Sequence, residues 1–155
     1  MIEDVERAIR EYIEGLVHMS LSTVADNRPW TCELHFAYSD DLRLYFYTKK
    51  SARHSIEIAN NPHVSGNIVR QHAKGEKPRG VYFEGTARKV EDLREDSSAF
   101  VLFNQRFGFP WEAVDKGGGQ DNEAFYEIVV SDWYVFDGVD SKPWQKYHLS
   151  WNKEK

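Results

Sequence analysis

The chain has 155 residues and a mass of 18.1 kDa, the length of about one domain. Hydrophobic residues make up 41% of the chain and charged residues 29%, which is typical of a globular protein and excludes a disordered or fibrous one. Its 25 acidic and 20 basic residues give a net charge of -5, which excludes general nucleic-acid binding because that needs a basic surface.

A single cysteine, Cys32, excludes an intrachain disulfide and any zinc or iron–sulfur site built on two or more thiolates. No apolar run approaches the roughly 18 residues that a membrane span requires. The acidic N-terminal segment is unlike a secretory signal or a transit peptide. We therefore expect a single domain over residues 1–155 that is cytoplasmic and has neither a membrane nor a nucleic-acid partner.

The first part of the chain predicts one helix followed by strands. Apolar residues recur every three or four positions over residues 2–17, which predicts an amphipathic helix. Residues 19–25, 30–38 and 42–48 have the pattern of strands, with short polar turns between them. Three strands joined in this way predict an antiparallel meander.

The middle of the chain predicts two more helices and two strands. A short helix is expected over residues 52–60, with Ser51 as its N-cap and Asn61-Pro62 at its end. Strands follow over 64–70 and 80–90, and Gly85 inside the second is typical of a bend or a close backbone approach. Asp92 and Glu95 resemble a capping box, which predicts a helix over 92–106.

The last part predicts strands over 124–131 and 133–137, and either a strand or an extended arm over 144–151. The strands come in runs without a helix between each pair, which disfavours a parallel sheet. Closing short strands into a small barrel would remove their exposed edges. The predicted fold class is mainly β with flanking helices.

The junction between a strand and a helix at residues 45–54 is the most informative segment for function. Free backbone N–H groups and the helix dipole favour an anion at such a position. The side chains there that add hydroxyls or positive charge are Thr48, Lys49, Lys50, Ser51, Arg53 and His54. An anion site is one interpretation, and a solvated basic helix start with an ordinary serine cap is the other.

The order of four segments resembles the pyridoxamine phosphate oxidase-like family of FMN-binding split barrels. These segments are residues 29–36, 44–48, 51–54 and 58–64: a strand after a proline, a strand ending in an aromatic-Thr pair, a basic helix start, and Asn-Pro before the next strand. The resemblance covers residues 5–90 and implies a split β-barrel of the FMN-binding type. It also implies a homodimer with FMN at the subunit interface.

The cofactor-binding residues that this resemblance implies are Trp30, Thr31, Cys32, Tyr47, Thr48, Lys49, Ser51, Arg53 and His54. By the resemblance, the first three lie beside the isoalloxazine ring and the next two line the ribityl and phosphate region. The last four would hold the phosphate.

The C-terminal segment, residues 142–151, lacks the Arg–His substrate motif of true pyridoxamine phosphate oxidases, so their vitamin substrate is not implied. A flavin itself performs hydride or electron transfer, so an enzyme of this class needs no catalytic dyad. The first hypothesis is an FMN-dependent oxidoreductase acting on a small-molecule substrate or reductant. The alternatives are a non-catalytic flavin- or haem-binding protein with a storage or stress role, and a deazaflavin-dependent reductase.

The histidines and the cysteine give little evidence for a metal site or a nucleophile. The six histidines include no helical pair with metal-ligand spacing, so no metal site is predicted. Cys32 lies near His35, but residues three apart on a strand point to opposite faces. Cys32 is therefore interpreted as a small buried or cofactor-adjacent residue, not as a nucleophile.

Overall fold

A computed structural model of the protein describes residues 4–139 and 143–151. Residues 2 and 3 of the first predicted helix lie outside the described residues. The described part contains three α-helices and eight strands, which confirms the mainly β class with flanking helices. The elements in chain order are α1 (Val5–Glu14), β1 (His18–Ala25), β2 (Arg28–His35), β3 (Ala37–Tyr38), β4 (Leu44–Lys49), α2 (Arg53–Asn60), β5 (His63–Ile68), β6 (Arg79–Lys89), α3 (Ser98–Phe107), β7 (Glu123–Asp137) and β8 (Gln145–Ser150), with a 3-10 turn at Trp111–Ala113 before β7.

One antiparallel sheet contains all eight strands, in the order β2-β1-β5-β6-β7-β4-β3, with β8 paired to β7. β2 and β3 stand at opposite ends of this order, yet only Phe36 separates them in the chain. The sheet must therefore curl until its two ends meet, which gives the split barrel that the sequence predicts. Phe36 is fully buried, and its N–H donates to the carbonyl oxygen of Val17 at 3.1 Å.

The predicted three-strand meander is confirmed in part, because the strand predicted over 30–38 is two strands, β2 and β3. β1 and β2 form an antiparallel hairpin over their whole length. The third predicted strand, β4, pairs with β3, the end of that predicted strand, and on its other side with β7. The local turn signals were correct, but a strand's second neighbour in a barrel is decided by closure and not by the nearest turn.

The barrel interior is filled by alternate residues of the strands. On β4, Leu44 and Phe46 point into this main core, whereas Tyr45 joins a second cluster beneath α3. Helices α1 and α2 contribute Ile9, Ile13 and Ile58 to the main core. The fully buried strand residues of the main core are Met19, Leu21, Leu44, Phe46, Ile68, Val81, Ile128 and Trp133.

The third helix begins later than predicted. α3 starts at Ser98 with Ser97 as its N-cap, and no capping box forms at Asp92. Asp92 has a φ of 50°, in the left-handed region, so it belongs to a turn that follows β6. Aspartate tolerates that conformation better than most residues do. An aspartate in the sequence is therefore compatible both with a helix N-cap and with a left-handed turn.

The two strands predicted around Ser131 are one strand with a bulge. Glu84 faces Asp132 and Gly85 faces Val130, which leaves Ser131 as the extra residue of β7. A Cβ atom at Gly85 would lie 2.3 Å from the carbonyl oxygen of Val129. The expectation of a close backbone approach at Gly85 is confirmed, and the bulge lets the long strand bend around the barrel.

Arg106 of α3 holds the end of α1 against the barrel. Its guanidinium donates to the carbonyl oxygen of Leu16 and, at 3.5 Å, to that of Ile13. The same group lies over the ring of Phe36, 4.9 Å from its centroid. The carbonyl oxygen of Ile13 already accepts the N–H of Leu16, so Arg106 adds a charged donor that ties the turn after α1 to the barrel.

We expect Arg106→Ala to lower the free energy of unfolding by about 2 kcal/mol, because it removes a charged donor from the carbonyl oxygen of Leu16 and the packing of the guanidinium on Phe36. Arg7→Ala is the matched control, since Arg7 is exposed and its ion pair with Glu11 is long, at 3.9 Å. Urea denaturation measures both variants, and the control should change by less than about 0.5 kcal/mol. Equal values for the two variants would contradict the anchoring role.

Candidate functional site

The junction between β4 and α2 presents the first turn of a helix to the surface. Ala52 is the N-cap in extended conformation, with a φ of -63° and a ψ of 147°. Ser51, the predicted cap, therefore lies one residue before the observed one. No side chain among the described residues caps the helix. The first N–H groups of α2 have no acceptor within the helix, so they are available to an anion.

The hydroxyl of Ser55 secures this junction by donating to the carbonyl oxygen of Lys49 at 2.7 Å. The N–H of Ala52 donates to the same carbonyl at 3.2 Å. The start of α2 is thus fixed to the last residue of β4. A ligand bound at this helix start would meet a preformed surface.

Arg53 lies on the side of α2 that faces β1 and β2. Its guanidinium stacks on the ring of Trp30, 4.3 Å from the centroid, and its Nε donates to Glu57 at 2.9 Å. The buried hydroxyl of Thr23 donates to the other carboxylate oxygen of Glu57, also at 2.9 Å. Within the described residues, the two terminal nitrogens of Arg53 take part in no hydrogen bond. Arg53 is therefore held in place while its outer N–H groups face outwards.

Glu57 is the buried centre of this group, with 9% of its side chain exposed. The hydrogen bond from Arg53 is the main cause that lowers the pKa of Glu57, and Thr23 adds to it. The carboxylate is therefore ionised at neutral pH. Glu57 therefore neutralises the positive charge of Arg53 and holds its guanidinium in place.

His54 points inwards from the same helix turn. One ring nitrogen, Nε2, lies 2.8 Å from the hydroxyl oxygen of Thr48, and 8% of the residue is exposed. Burial lowers the pKa of His54, with nearby Glu57 opposing it. The imidazole is neutral at pH 7, so it supplies a hydrogen-bonding group and not a second positive charge.

Trp30, Thr31 and Cys32 alternate across β2. Trp30 and Cys32 share the inner side with Thr23 and Leu21, their cross-strand partners. Thr31 lies on the outer face, 2.9 Å from the hydroxyl of Ser22.

Cys32 packs against the main core, and burial, followed by the charge of Glu33, raises the pKa of its thiol to about 11. The thiol is protonated at neutral pH, so it is no nucleophile. His35, on the opposite face, stacks on His18 with centroids 4.5 Å apart. The expectation that Cys32 and His35 point apart is confirmed.

Tyr47, unlike Thr48, does not lie at the junction between β4 and α2. It points to the other face of β4, into the cluster beneath α3, and its hydroxyl accepts the N–H of Asp115 at 2.8 Å. Lys49 is exposed and Ser51 is partly buried. Of the predicted residues, the structure thus gathers Trp30, Thr48, Arg53 and His54 around the start of α2.

Sequence reasoning missed Thr23 and Glu57. The Arg53–Glu57 pair has the four-residue spacing of a helical ion pair, so the sequence carried a signal for it. Thr23 carried none, because it reaches Glu57 from a strand 34 residues away in the chain.

No helix among the described residues is long and apolar enough to cross a membrane. In the same part of the chain, no three His, Cys, Asp or Glu side chains group as metal ligands.

The family model for pyridoxamine 5'-phosphate oxidase matches residues 5–137. The chain belongs to this family. A comparison with curated proteins finds no match.

Solved structures share the fold at low sequence identity. A haem-binding protein from Mycobacterium smegmatis superposes with a TM-score of 0.76 at 14% identity, over 97% of this chain and 60% of that one. The haem storage protein HutZ from Vibrio cholerae gives 0.64 at 21% identity, over 81% and 89% of the two chains. An FAD-binding protein from Mesorhizobium loti gives 0.64 at 18% identity, over 85% and 92%.

The buried, neutral His54 predicts a loss of stability in mild acid. Its folded-state pKa lies below the ordinary value of 6.5, so the unfolded chain binds the extra proton first as the pH falls. Its contribution is complete above pH 6.5 and is lost progressively below that value. Thermal denaturation between about pH 8 and 5 should show a smaller loss for His54→Gln, which keeps a hydrogen-bonding group but does not titrate. Identical pH profiles for the two proteins would refute this assignment.

Proposed function

We propose that this protein is an FMN-dependent oxidoreductase of the pyridoxamine phosphate oxidase family. It acts as a homodimer in the cytoplasm, with the cofactor between subunits and a small-molecule substrate or reductant. The proposal rests on the position of the Arg53 guanidinium. Glu57 and Trp30 hold it at the start of α2, with its terminal N–H groups directed outwards.

The residues at this junction fit a phosphate monoester. The terminal nitrogens of Arg53 offer a planar fork of donors, which matches two phosphate oxygens. The first N–H groups of α2 add donors and the positive end of the helix dipole. The exposed Lys49 adds positive charge, and the hydroxyls of Thr48 and Ser51 lie along the same segment.

β2 supplies a surface for the planar part of the cofactor. It stands at one end of the strand order, and among the described strands it pairs only with β1. The outer edge of β2 therefore presents backbone donors and acceptors beside Trp30, which is 40% exposed. Thr31 and Cys32 lie on this edge strand, and their backbone groups would hydrogen-bond the ring.

A bound flavin supplies hydride or electron transfer, and this chain binds and orients it. Arg53 fixes the phosphate end, and the edge of β2 sets the orientation of the ring. A second subunit covers the open side of the same edge and excludes water from the ring, which is the reason for proposing a homodimer. Tyr47 would contribute indirectly, by fixing the 115–117 turn next to β4.

Arg53→Ala should weaken FMN binding about 10- to 100-fold, because a hydrogen bond to a charged group is worth about 1.5 to 3 kcal/mol. Lys50→Ala, also at this junction but with its Nζ at the carbonyl oxygen of Gly117, is the matched control and should change FMN affinity much less. Quenching of flavin fluorescence measures the affinity, and thermal melting without FMN measures stability. A large loss of stability in ligand-free Arg53→Ala, with FMN affinity unchanged, would make Arg53 a structural residue.

A second candidate is a flavin- or haem-binding protein without turnover. The fold that this chain shares with a haem-binding protein and a haem storage protein favours it. Fold alone does not decide function, so the two candidates need a kinetic test. A deazaflavin reductase would differ from both by binding the deazaflavin more tightly than FMN.

The protein as purified should show the visible absorbance bands of a flavin, or acquire them with FMN at one cofactor per subunit. In stopped-flow mixing, NADH or NADPH should bleach these bands at least as fast as the enzyme turns over in the steady state. An added electron acceptor should restore them. Tight FMN binding with no bleaching by either nucleotide favours the binding protein. A colourless protein that binds no FMN rules out both flavin functions.

A further inference from the structure

A cavity of 620 Å³ lies on the other flank of α2, away from Arg53. Residues 55 and 59 of the helix line it, whereas residue 53 contacts Trp30 of β2 and residue 57 contacts Thr23 of β1. Positions two apart on a helix point about 200° apart, so the two flanks are separate surfaces. The end of β6 and the loop before β7 form the remaining walls. Its volume is in the range of small-molecule sites.

The floor of this cavity is apolar. It is formed by Ile58 and Ala59 of α2, Pro62 in the following turn and Ala87 of β6. Ile56 stands at the mouth with 46% of its surface exposed. An apolar body bound here would remove these surfaces from water, which favours binding.

The rim of the cavity carries more positive than negative charge. Lys50, Arg88 and Lys89 line it, against the single carboxylate of Glu91. Arg88 is paired with Glu127 at 2.7 Å, and Lys89 lies 3.6 Å from Glu91.

Lys50 is the cation that remains available on this rim. It has no ion-pair partner among the described residues, and its Nζ contacts the carbonyl oxygen of Gly117 at 3.5 Å. Asp115 lies near enough for Lys50 to lower its pKa, but Asn122 and two backbone N–H groups already occupy that carboxylate. Lys50 is therefore free to meet an anion at the mouth.

Tyr126 gives the cavity an unpaired polar group. The residue is 4% exposed, and its ring stacks on Phe46 with centroids 5.2 Å apart. Its hydroxyl forms no hydrogen bond within the part of the chain that the structure describes, and it is not one of the fully buried polar atoms that lack a partner. Tyr126 lines the cavity, so this hydroxyl is accessible from it and can donate a hydrogen bond to a bound ligand.

We propose that this cavity binds an amphipathic organic anion, with an aromatic or aliphatic body and one carboxylate or sulfonate, at a site separate from the flavin. The body lies on Ile58, Ala59 and Pro62, and Lys50 binds the anionic group. An oxygen of the ligand accepts a hydrogen bond from the Tyr126 hydroxyl. The apolar floor disfavours a bare inorganic anion, and the cationic rim favours an anion over a neutral compound.

The probe is 8-anilinonaphthalene-1-sulfonate, an aromatic anion, titrated by calorimetry into the full chain with and without saturating FMN. We expect one site per chain, unchanged affinity when FMN is present, and competition by octanoate. A neutral counterpart, N-phenyl-1-naphthylamine, is titrated by fluorescence without FMN to separate charge from apolar contact.

Two variants test the walls of the cavity. Ala59→Trp fills the floor from an exposed helix position and should abolish binding of both dyes. Lys50→Glu should weaken the sulfonate probe at least 10-fold and change the affinity of the neutral dye less than 2-fold, since only the anion meets the reversed charge. Lys74→Glu, an exposed lysine on the loop between β5 and β6, is the matched control and should change neither.

Three results would overturn the proposal. They are probe binding that survives Ala59→Trp in a folded variant, displacement of the probe by FMN, and a Lys50→Glu effect equal for the two dyes. If Ala59→Trp does not fold, Ile56→Asp at the exposed mouth replaces it. Unchanged binding of the sulfonate probe to that variant would also overturn the proposal.

Discussion

The closure of the sheet at Phe36 is the constraint on which the other features depend. The chain leaves β2 at one end of the strand order and enters β3 at the other end, with one fully buried residue between them. A flat sheet cannot connect its two ends in that distance, so all the strands must bend around one interior. The bend leaves β2 with a single paired neighbour among the described strands. The same geometry that closes the barrel therefore leaves the edge on which the proposed cofactor site is built.

The second organising feature is the buried carboxylate of Glu57. It is the point where a strand residue, Thr23, and a helix residue, Arg53, meet. Removing water from a carboxylate is costly, and two hydrogen bonds with one positive charge offset that cost. As a result α2 is oriented against β1, with Arg53 at one flank and Ser55 and Ala59 at the other. One short helix thus defines both the anion site and the separate cavity.

The sequence predicted most of the strands and the family, because both depend on local patterns. The order of segments between residues 29 and 64 carries the family resemblance, and alternation on β2 correctly separated Cys32 from His35. Local sequence patterns could not predict the pairing of β4 with β7, because it joins segments about 80 residues apart. Within the site, Arg53 and His54 were found from their charge near a helix start. Their different environments, one exposed on Trp30 and one buried on Thr48, depend on long-range packing that residue type does not encode.

The protonated thiol of Cys32 has a practical consequence. Alkylating reagents react with the thiolate, and a thiol whose pKa is about 11 offers very little of it at neutral pH. The side chain is only partly buried, so a reagent reaches it in the folded protein and the thiolate fraction limits the rate. Labelling of this single thiol should therefore be slow at neutral pH and faster as the pH rises, and a ligand that lies along β2 should slow it further.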